Sequence, residues 1–87
     1  MLKITICSTT KCVTLKLEGK LLEPWLAELR DAHERARASA RTIRLDLAAV
    51  TFVDAAGESA LAVMLRDGAV LGDCSSFVAE LLQVGQP

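Results

Sequence analysis

Basic residues are not in excess in this sequence. Lys and Arg together number 10 against 11 Asp and Glu, which leaves a formal net charge of −1. No window concentrates Lys and Arg enough to follow a phosphate backbone. We therefore expect no nucleic-acid partner.

Long apolar runs are also missing. A membrane-spanning helix needs about 18 consecutive apolar residues, and no run in the chain approaches that length. At the N-terminus, Lys3 is followed by an alternating pattern instead of the continuous apolar segment of a signal peptide. We expect no direct membrane insertion and a cytoplasmic location.

Cysteines are few and show no metal-binding spacing. Cys7, Cys12 and Cys74 are odd in number and form no C-x-x-C pair, so neither a zinc site nor a disulfide framework is indicated. If Cys7 and Cys12 flank a hairpin loop, they are expected to lie opposite each other and to be able to oxidise in air. Otherwise the cysteines are interpreted as buried or spectator thiols.

Catalytic motifs are absent as well. The chain has no phosphate-binding loop, dinucleotide-binding turn, paired-histidine zinc motif or nucleophile elbow. Asp46 and Asp54 are the acids near strand ends, and no base, nucleophile or metal ligand accompanies them. His33, the single histidine, falls beside an apolar helix stripe, which favours a structural role. We expect no catalytic residue, no metal site, no cofactor and no enzymatic activity.

What the chain does contain is enough apolar material for one small core. It has 87 residues, of which 52% are hydrophobic, and domains usually span about 50 to 200 residues. Residues 1–87 are therefore expected to form a single domain. A core of this size gives modest stability, which a protein partner or a homodimer would increase.

The first half of the chain alternates and then changes period. Apolar residues recur at every second position in residues 2–7 and 13–18, which predicts two strands joined by a hairpin loop at 8–11. From Pro24 onward the apolar spacing is helical as far as Ala40. Proline suits the first turn of such a helix.

The second half predicts the rest of the sheet and two more helices. Residues 42–47 form a strand pattern that an apolar stretch at 50–53 continues, and a helix over 57–66 follows. Residues 69–71 are long enough for a fourth strand, and Ser75 or Ser76 can cap a last helix. The apolar residues expected to point inward from this helix are Phe77, Val78, Leu81 and Leu82. The tail at 85–87 cannot continue it.

The fold class follows from this order, which is β-β-α-β-α-β-α. Strands that are connected through helices favour an α/β fold with parallel strand pairs. We predict a single-layer mixed four-stranded sheet with helices mainly on one face, because the chain is too short to cover both faces.

Residues 43–57, with the sequence IRLDLAAVTFVDAAG, resemble the signature of a known family. The segment is similar to that of STAS domains (sulfate transporter and anti-sigma-factor antagonist domains). In that signature, a strand ending in Asp-Leu leads through Val-x-Phe-hydrophobic-Asp to Ser-Ser-Gly or Ser-Ala-Gly at a helix start. The preceding elements match as well, so the resemblance covers essentially the full length. It implies a bacterial signalling domain that binds proteins and regulates transcription.

Two places depart from the family pattern. The resemblance implies a serine after the loop aspartate, which a partner kinase phosphorylates to switch binding off. Here that position is Ala55, and the next is Ala56, so neither can accept a phosphate. Residues 20–22 are Lys-Leu-Leu, where the family often has Glu-Leu-Asp. The domain is expected to behave as permanently unphosphorylated.

The residues around this loop can also be interpreted without the family resemblance. Asp54 can accept hydrogen bonds from the free amides at a helix start, and Gly57 permits close packing there. Leu61, Met64 and Leu65 can face the sheet, which leaves the opposite side of the helix unusually apolar. We predict a partner-binding surface made of the loop and this outer side: Asp54, Ala55, Ala56, Glu58, Ser59, Ala62, Val63 and Arg66. Ser59 is interpreted as an ordinary solvent-facing helix residue.

Three functions are consistent with the sequence. The leading one is a protein-interaction module, resembling anti-sigma-factor antagonists, that binds an anti-sigma factor or kinase-like partner. The second is a small STAS subunit that stabilises the ATPase of a bacterial ABC lipid transporter, a role that needs no phosphoacceptor. The third is a nucleotide- or lipid-sensing domain, although the chain has no phosphate-binding loop.

Overall fold

The computed structural model describes residues 2–9, 11–39 and 42–83, and the side chains of these residues except 82 and 83. The predicted tail at 85–87 and the end of the first helix pattern at Ala40 lie outside the described residues.

The described residues form four strands and three α-helices. The strands are β1 (Leu2–Ser8), β2 (Cys12–Leu21), β3 (Thr42–Val53) and β4 (Val70–Cys74), and the helices are α1 (Leu26–Ser39), α2 (Ala55–Arg66) and α3 (Ser76–Gln83). A 3₁₀ turn at Glu23–Trp25 precedes α1 and contains the proline. The predicted order of elements is confirmed.

The strands form one mixed sheet in the order β1-β2-β3-β4. β1 pairs with β2 antiparallel, through the hairpin. β2 with β3, and β3 with β4, are parallel pairs, and each connection passes through a helix, as parallel neighbours require. The predicted four-stranded mixed sheet is therefore confirmed.

The core lies between the sheet and the helices. Alternate residues of the two central strands are fully buried: Leu15, Leu17, Leu45 and Leu47. α1 and α2 both contact this part of the sheet, whereas Lys3, Lys16 and Arg44 are exposed on the other face. The shortest extent of the Cα atoms is 18 Å, which leaves room for about one layer of helices. Helices thus cover mainly one face, as predicted.

Element boundaries differ from the sequence-based expectation at several places, among them β2, which runs from Cys12 to Leu21 and not over 13–18. β3 is one strand of 12 residues, because register shifts against β2 let pairing continue to Val53. α2 begins at Ala55 and not at residue 57, since Asp54 is its N-cap. β4 runs from Val70 to Cys74 and not over 69–71, because it follows β3 in parallel register as far as Leu47.

The expectation that Cys7 and Cys12 lie opposite each other was wrong. The last pair of the hairpin is Ser8 with Val13, so Cys7 lies opposite Thr14 and not opposite Cys12. Cys12 instead pairs with Thr42 on β3. Cys7 is exposed, which agrees with the spectator alternative and not with a buried thiol.

The last helix is capped by the first of the two candidate serines. The Ser75 hydroxyl accepts from the Val78 N–H at 3.3 Å and donates to the Val50 carbonyl at 2.8 Å. Val78 is fully buried and Leu81 half-buried. Phe77 is 39% exposed, so its inward orientation was a wrong prediction, while the side chain of Leu82 lies outside the description.

Candidate functional site

Asp54 holds the loop between β3 and α2. Its Oδ1 accepts from the Gly57 N–H at 2.7 Å, and its Oδ2 accepts from the Glu23 N–H at 3.0 Å. The Asp54 N–H donates to the Leu21 carbonyl at 3.1 Å. One carboxylate therefore caps α2, as predicted, and also joins it to the turn that starts α1. This second bond spans 31 residues.

Gly57 lets the same two segments approach each other. A Cβ at this position would lie 2.7 Å from the Leu21 carbonyl oxygen and 3.0 Å from Val53 Cγ1. Real Cβ atoms do not approach backbone so closely, so only glycine fits. The predicted close packing is confirmed, and the loop is held firmly on its inner side.

The outer side of the loop and of α2 carries the predicted surface. Ala55, Ser59, Ala62 and Arg66 are exposed and recur at helical spacing, so they share one side of the helix. Val63 flanks them and is 47% exposed. Asp54, Ala56 and Glu58 are only partly exposed, at the N-terminal end of this side. The exposed predicted residues therefore form one strip along α2, whereas Ala56 packs against the core and is not part of it.

The inner side of α2 is apolar and closed. Ala60 and Leu61 are buried, as is Met64, and Leu65 is partly buried against the same core. This confirms the predicted inward orientation of Leu61, Met64 and Leu65. The apolar residues on the outer side of α2 are therefore not required to form the core.

Two aromatic residues that the sequence did not assign to the site lie beside this loop. Phe52, two positions before Asp54, is 45% exposed, and Phe77 in the first turn of α3 is 39% exposed. Their rings stack with centroids 6.0 Å apart and an interplanar angle of 21°. Exposed aromatics are frequent anchors in protein interfaces. Sequence reasoning could have found Phe52 as an outward-facing residue, because it lies between Val50 and Val53, both of which face the core.

The other singled-out polar residues have structural positions. Asp46 Oδ1 accepts from the Ala48 N–H at 3.1 Å, and Asp46 lies inside β3 and not near a strand end as expected. His33 is buried, in agreement with its predicted place beside the apolar stripe of α1. Burial raises the pKa of the Cys74 thiol, and the nearby Asp73 and Asp46 carboxylates raise it further.

Neither a membrane span nor a metal cluster is found in the part of the chain that is described. None of these helices combines the length and apolar character needed to cross a bilayer. No group of three or more His, Cys, Asp or Glu side chains is placed to hold a metal ion among residues 2–9, 11–39 and 42–83.

Comparison with known families identifies the domain. The family model described as "Mlab, STAS domain" matches residues 4–84. The chain belongs to the STAS domain family. No curated protein has a sequence that matches this chain. The resemblance seen in residues 43–57 is thereby confirmed at the level of the family.

Solved structures agree with the STAS fold. The anti-sigma factor antagonist SpoIIAA in its unphosphorylated form has a TM-score of 0.78 and 19% identity over 94% of this chain and 79% of that chain. An anti-sigma factor antagonist from Mycobacterium paratuberculosis has a TM-score of 0.74 and 15% identity, over 97% of this chain and 79% of its own.

A third match lies in a larger protein. A structure titled Mglu gives a TM-score of 0.72 and 23% identity over 83% of this chain, but only 20% of that chain is covered. At these identities the matches establish the fold alone, and this STAS domain's partner is a separate question.

Proposed function

We propose that this STAS domain is a cytoplasmic protein-interaction module, resembling anti-sigma-factor antagonists, that binds an anti-sigma factor or kinase-like partner and so regulates transcription. Catalysis has no part in this role. The observation that carries the proposal is the apolar outer side of α2, with Val63 47% exposed, next to a loop that Asp54 and Gly57 hold in place. A prearranged apolar strip suits binding, because little order has to be gained when the partner docks.

The first turn of α2 supports a binding mode without the phosphorylation switch. Ala55 is exposed at the first residue of the helix, in the place where the family's serine is expected. A phosphate there would add about −1.5 to −2 charges to the contact surface. Since alanine cannot carry it, binding by this domain would depend on the amount of partner and not on a kinase reaction at this residue.

The aromatic pair extends the proposed contact. Phe52 lies next to the loop in the chain, and Phe77 lies at the start of α3. Their stacked rings form one apolar surface. Partly exposed aromatics bury large areas on binding at little cost in side-chain entropy. We include both residues in the proposed surface.

The experiment is affinity purification of the tagged domain from its native cells, with mass spectrometry of the captured proteins. Val63→Glu is the test variant and Val70→Glu is its matched control, because the two valines are 47% and 46% exposed and lie on different elements. We expect an anti-sigma factor to be captured by the wild type and by the control, and lost with Val63→Glu. Capture that both variants retain, or that both lose, would contradict the proposed surface.

A substitution at Asp54 is unsuitable for this purpose. Its carboxylate binds two backbone amides, so removing it would alter the loop and the helix start together. Loss of binding would then not distinguish contact from folding.

A second candidate function is supported by the family model itself, whose description names Mlab. In this reading, the domain is a subunit that stabilises the ATPase of a bacterial ABC lipid transporter, for which an alanine at position 55 is no disadvantage. The same purification separates the two candidates. Recovery of a transporter ATPase in place of an anti-sigma factor would favour the subunit role.

A further inference from the structure

A groove of about 360 Å³ separates α1 from α2. This volume is near the lower end of the range typical of small-molecule sites, about 300 to 1,000 Å³. Its apolar side consists of Ala60, Val63 and Met64 of α2. Ala60 and Met64 are buried, and methionine adapts readily to ligands of different shape.

His33 is the unusual residue of this groove. It lines the groove from α1 and is only 5% exposed, yet its ring hydrogen-bonds to no residue in the described part of the chain. Buried polar groups normally have a partner. No fully enclosed side-chain nitrogen or oxygen lacks one among the described residues, so the ring nitrogens keep some contact with solvent, and the groove is an opening that His33 lines. They are available to a ligand.

The charged residues around the groove balance in number, but they differ in whether they are paired. Its two carboxylates, Glu34 and Asp67, both face Arg37, at 3.3 and 3.8 Å. Arg30 also lines the groove and forms no ion pair with a carboxylate of the described residues. The Arg30 guanidinium is therefore the charged group at the groove without an ion-pair partner among the described residues, with His33 beside it one helical turn along α1.

We propose that this groove binds a small amphipathic carboxylate, a molecule with an apolar body and one carboxylate group. The apolar body would lie against Ala60, Val63 and Met64. The carboxylate would accept hydrogen bonds from the Arg30 guanidinium and the His33 ring, which are the donors that carboxylates prefer. This proposal is argued from the groove and not from the protein partner proposed above, although Val63 belongs to both surfaces.

The test uses 4-phenylbutyrate and 4-phenylbutylamine, which share an apolar body and carry opposite charges. Each is titrated into the ¹⁵N-labelled domain while amide shifts are followed by NMR. We expect the acid to shift the amides of residues 30–34 and 59–64 in a saturable way, and the amine to leave them in place. Equal shifts with both probes, or shifts confined to other parts of the chain, would overturn the proposal.

Variants identify the polar contact. Arg30→Gln is expected to weaken binding of 4-phenylbutyrate about two- to fivefold, as for an exposed ion pair, and His33→Gln about tenfold. Arg35→Gln is the matched control: it removes an exposed arginine from the same helix, outside this groove, and should leave the affinity unchanged. Because Arg30 is exposed, its variant remains informative even if His33→Gln unfolds the domain. Unchanged affinity in Arg30→Gln would exclude the proposed carboxylate contact.

Discussion

α1 and α2 lie side by side on the same sheet, yet the residues that they expose to solvent differ in chemistry. On the outer side of α1 the charged residues pair with one another: Arg35 lies 2.9 Å from Asp31, and Arg37 lies 3.3 Å from Glu34. The outer side of α2 instead carries small and aliphatic residues such as Val63. The first pattern is that of a solvated helix, and the second is typical of a surface that a partner covers.

The two helices also begin differently, although the Asp54 carboxylate binds a backbone amide at both starts. α1 follows a 3₁₀ turn whose N-cap, Leu22, makes no side-chain hydrogen bond. α2 begins at a capped and tightly packed joint formed by Asp54 and Gly57. α2 therefore begins at its own side-chain cap and a close glycine contact, whereas the turn before α1 is held by the carboxylate of a distant segment.

Gly57→Ala should destabilise the domain most. The added Cβ would meet the Leu21 carbonyl oxygen at 2.7 Å, so backbone has to move, and we expect a loss of about 3 kcal/mol in the free energy of unfolding. Urea denaturation measures it. Glu28→Ala, an exposed change in the first turn of α1, should cost less than about 0.5 kcal/mol. Similar losses in both variants would remove the contrast between the helix starts.

Asp54→Ala should cost about 2 kcal/mol, because it removes a helix cap and a second hydrogen bond. Asp46→Ala is the comparison, since that carboxylate binds the single amide of Ala48 in the described structure and should cost about 1 kcal/mol. Thermal or urea unfolding gives both values. An Asp54 variant no less stable than the Asp46 variant would mean that the bond to Glu23 contributes nothing.

Ala62→Glu tests the outer sides of the two helices directly. Ala62 on α2 and Ala27 on α1 are both exposed helical alanines, so the same substitution can be made on each. We expect Ala62→Glu to weaken binding of the captured partner at least about tenfold, as for a charge buried in an interface. Ala27→Glu should change it less than about twofold. Equal effects in a binding titration would show that α2 has no special role.

Ala55→Glu places a charge where the family's phosphoserine is expected. Binding of the partner should fall about fivefold, since the charge has to be desolvated at the contact. Stability should stay the same or rise by up to about 0.5 kcal/mol, because a carboxylate is favourable at a helix N-terminus. Ala55→Gln is the neutral control of equal size. If glutamine weakens binding as much as glutamate, size and not charge is responsible.

Asp31→Ala should have the smallest effect. Its ion pair with Arg35 is exposed, with 60% of the aspartate side chain accessible, and such pairs contribute about 0.3 kcal/mol. Thermal unfolding and partner capture should both stay near the wild type. A large loss of binding would mean that the charged side of α1 also contacts the partner.

Local pattern predicted much of the candidate site. The inward orientation of Leu61 and Met64 follows from helical spacing alone, and the cap by Asp54 follows from its place before an apolar helix pattern. The orientation of Phe77 did not follow, since an apolar residue at a helix start is normally assigned to the core. Its stacking on Phe52 depends on where β3 and α3 meet. Phe52 and Phe77 are 25 residues apart in sequence, as are Val50 and Ser75, which are joined by a hydrogen bond between the same two elements.

The sequence by itself determined the order of strands and helices, the mixed sheet and the family, because periodicity and short motifs depend on neighbours in the chain. Only the tertiary structure decided the strand register, which separates Cys7 from Cys12, and the bond from Asp54 to Glu23. It also decided that His33 would face a groove between two helices. These features depend on pairings between distant segments, and a shift of one residue in register would change each of them.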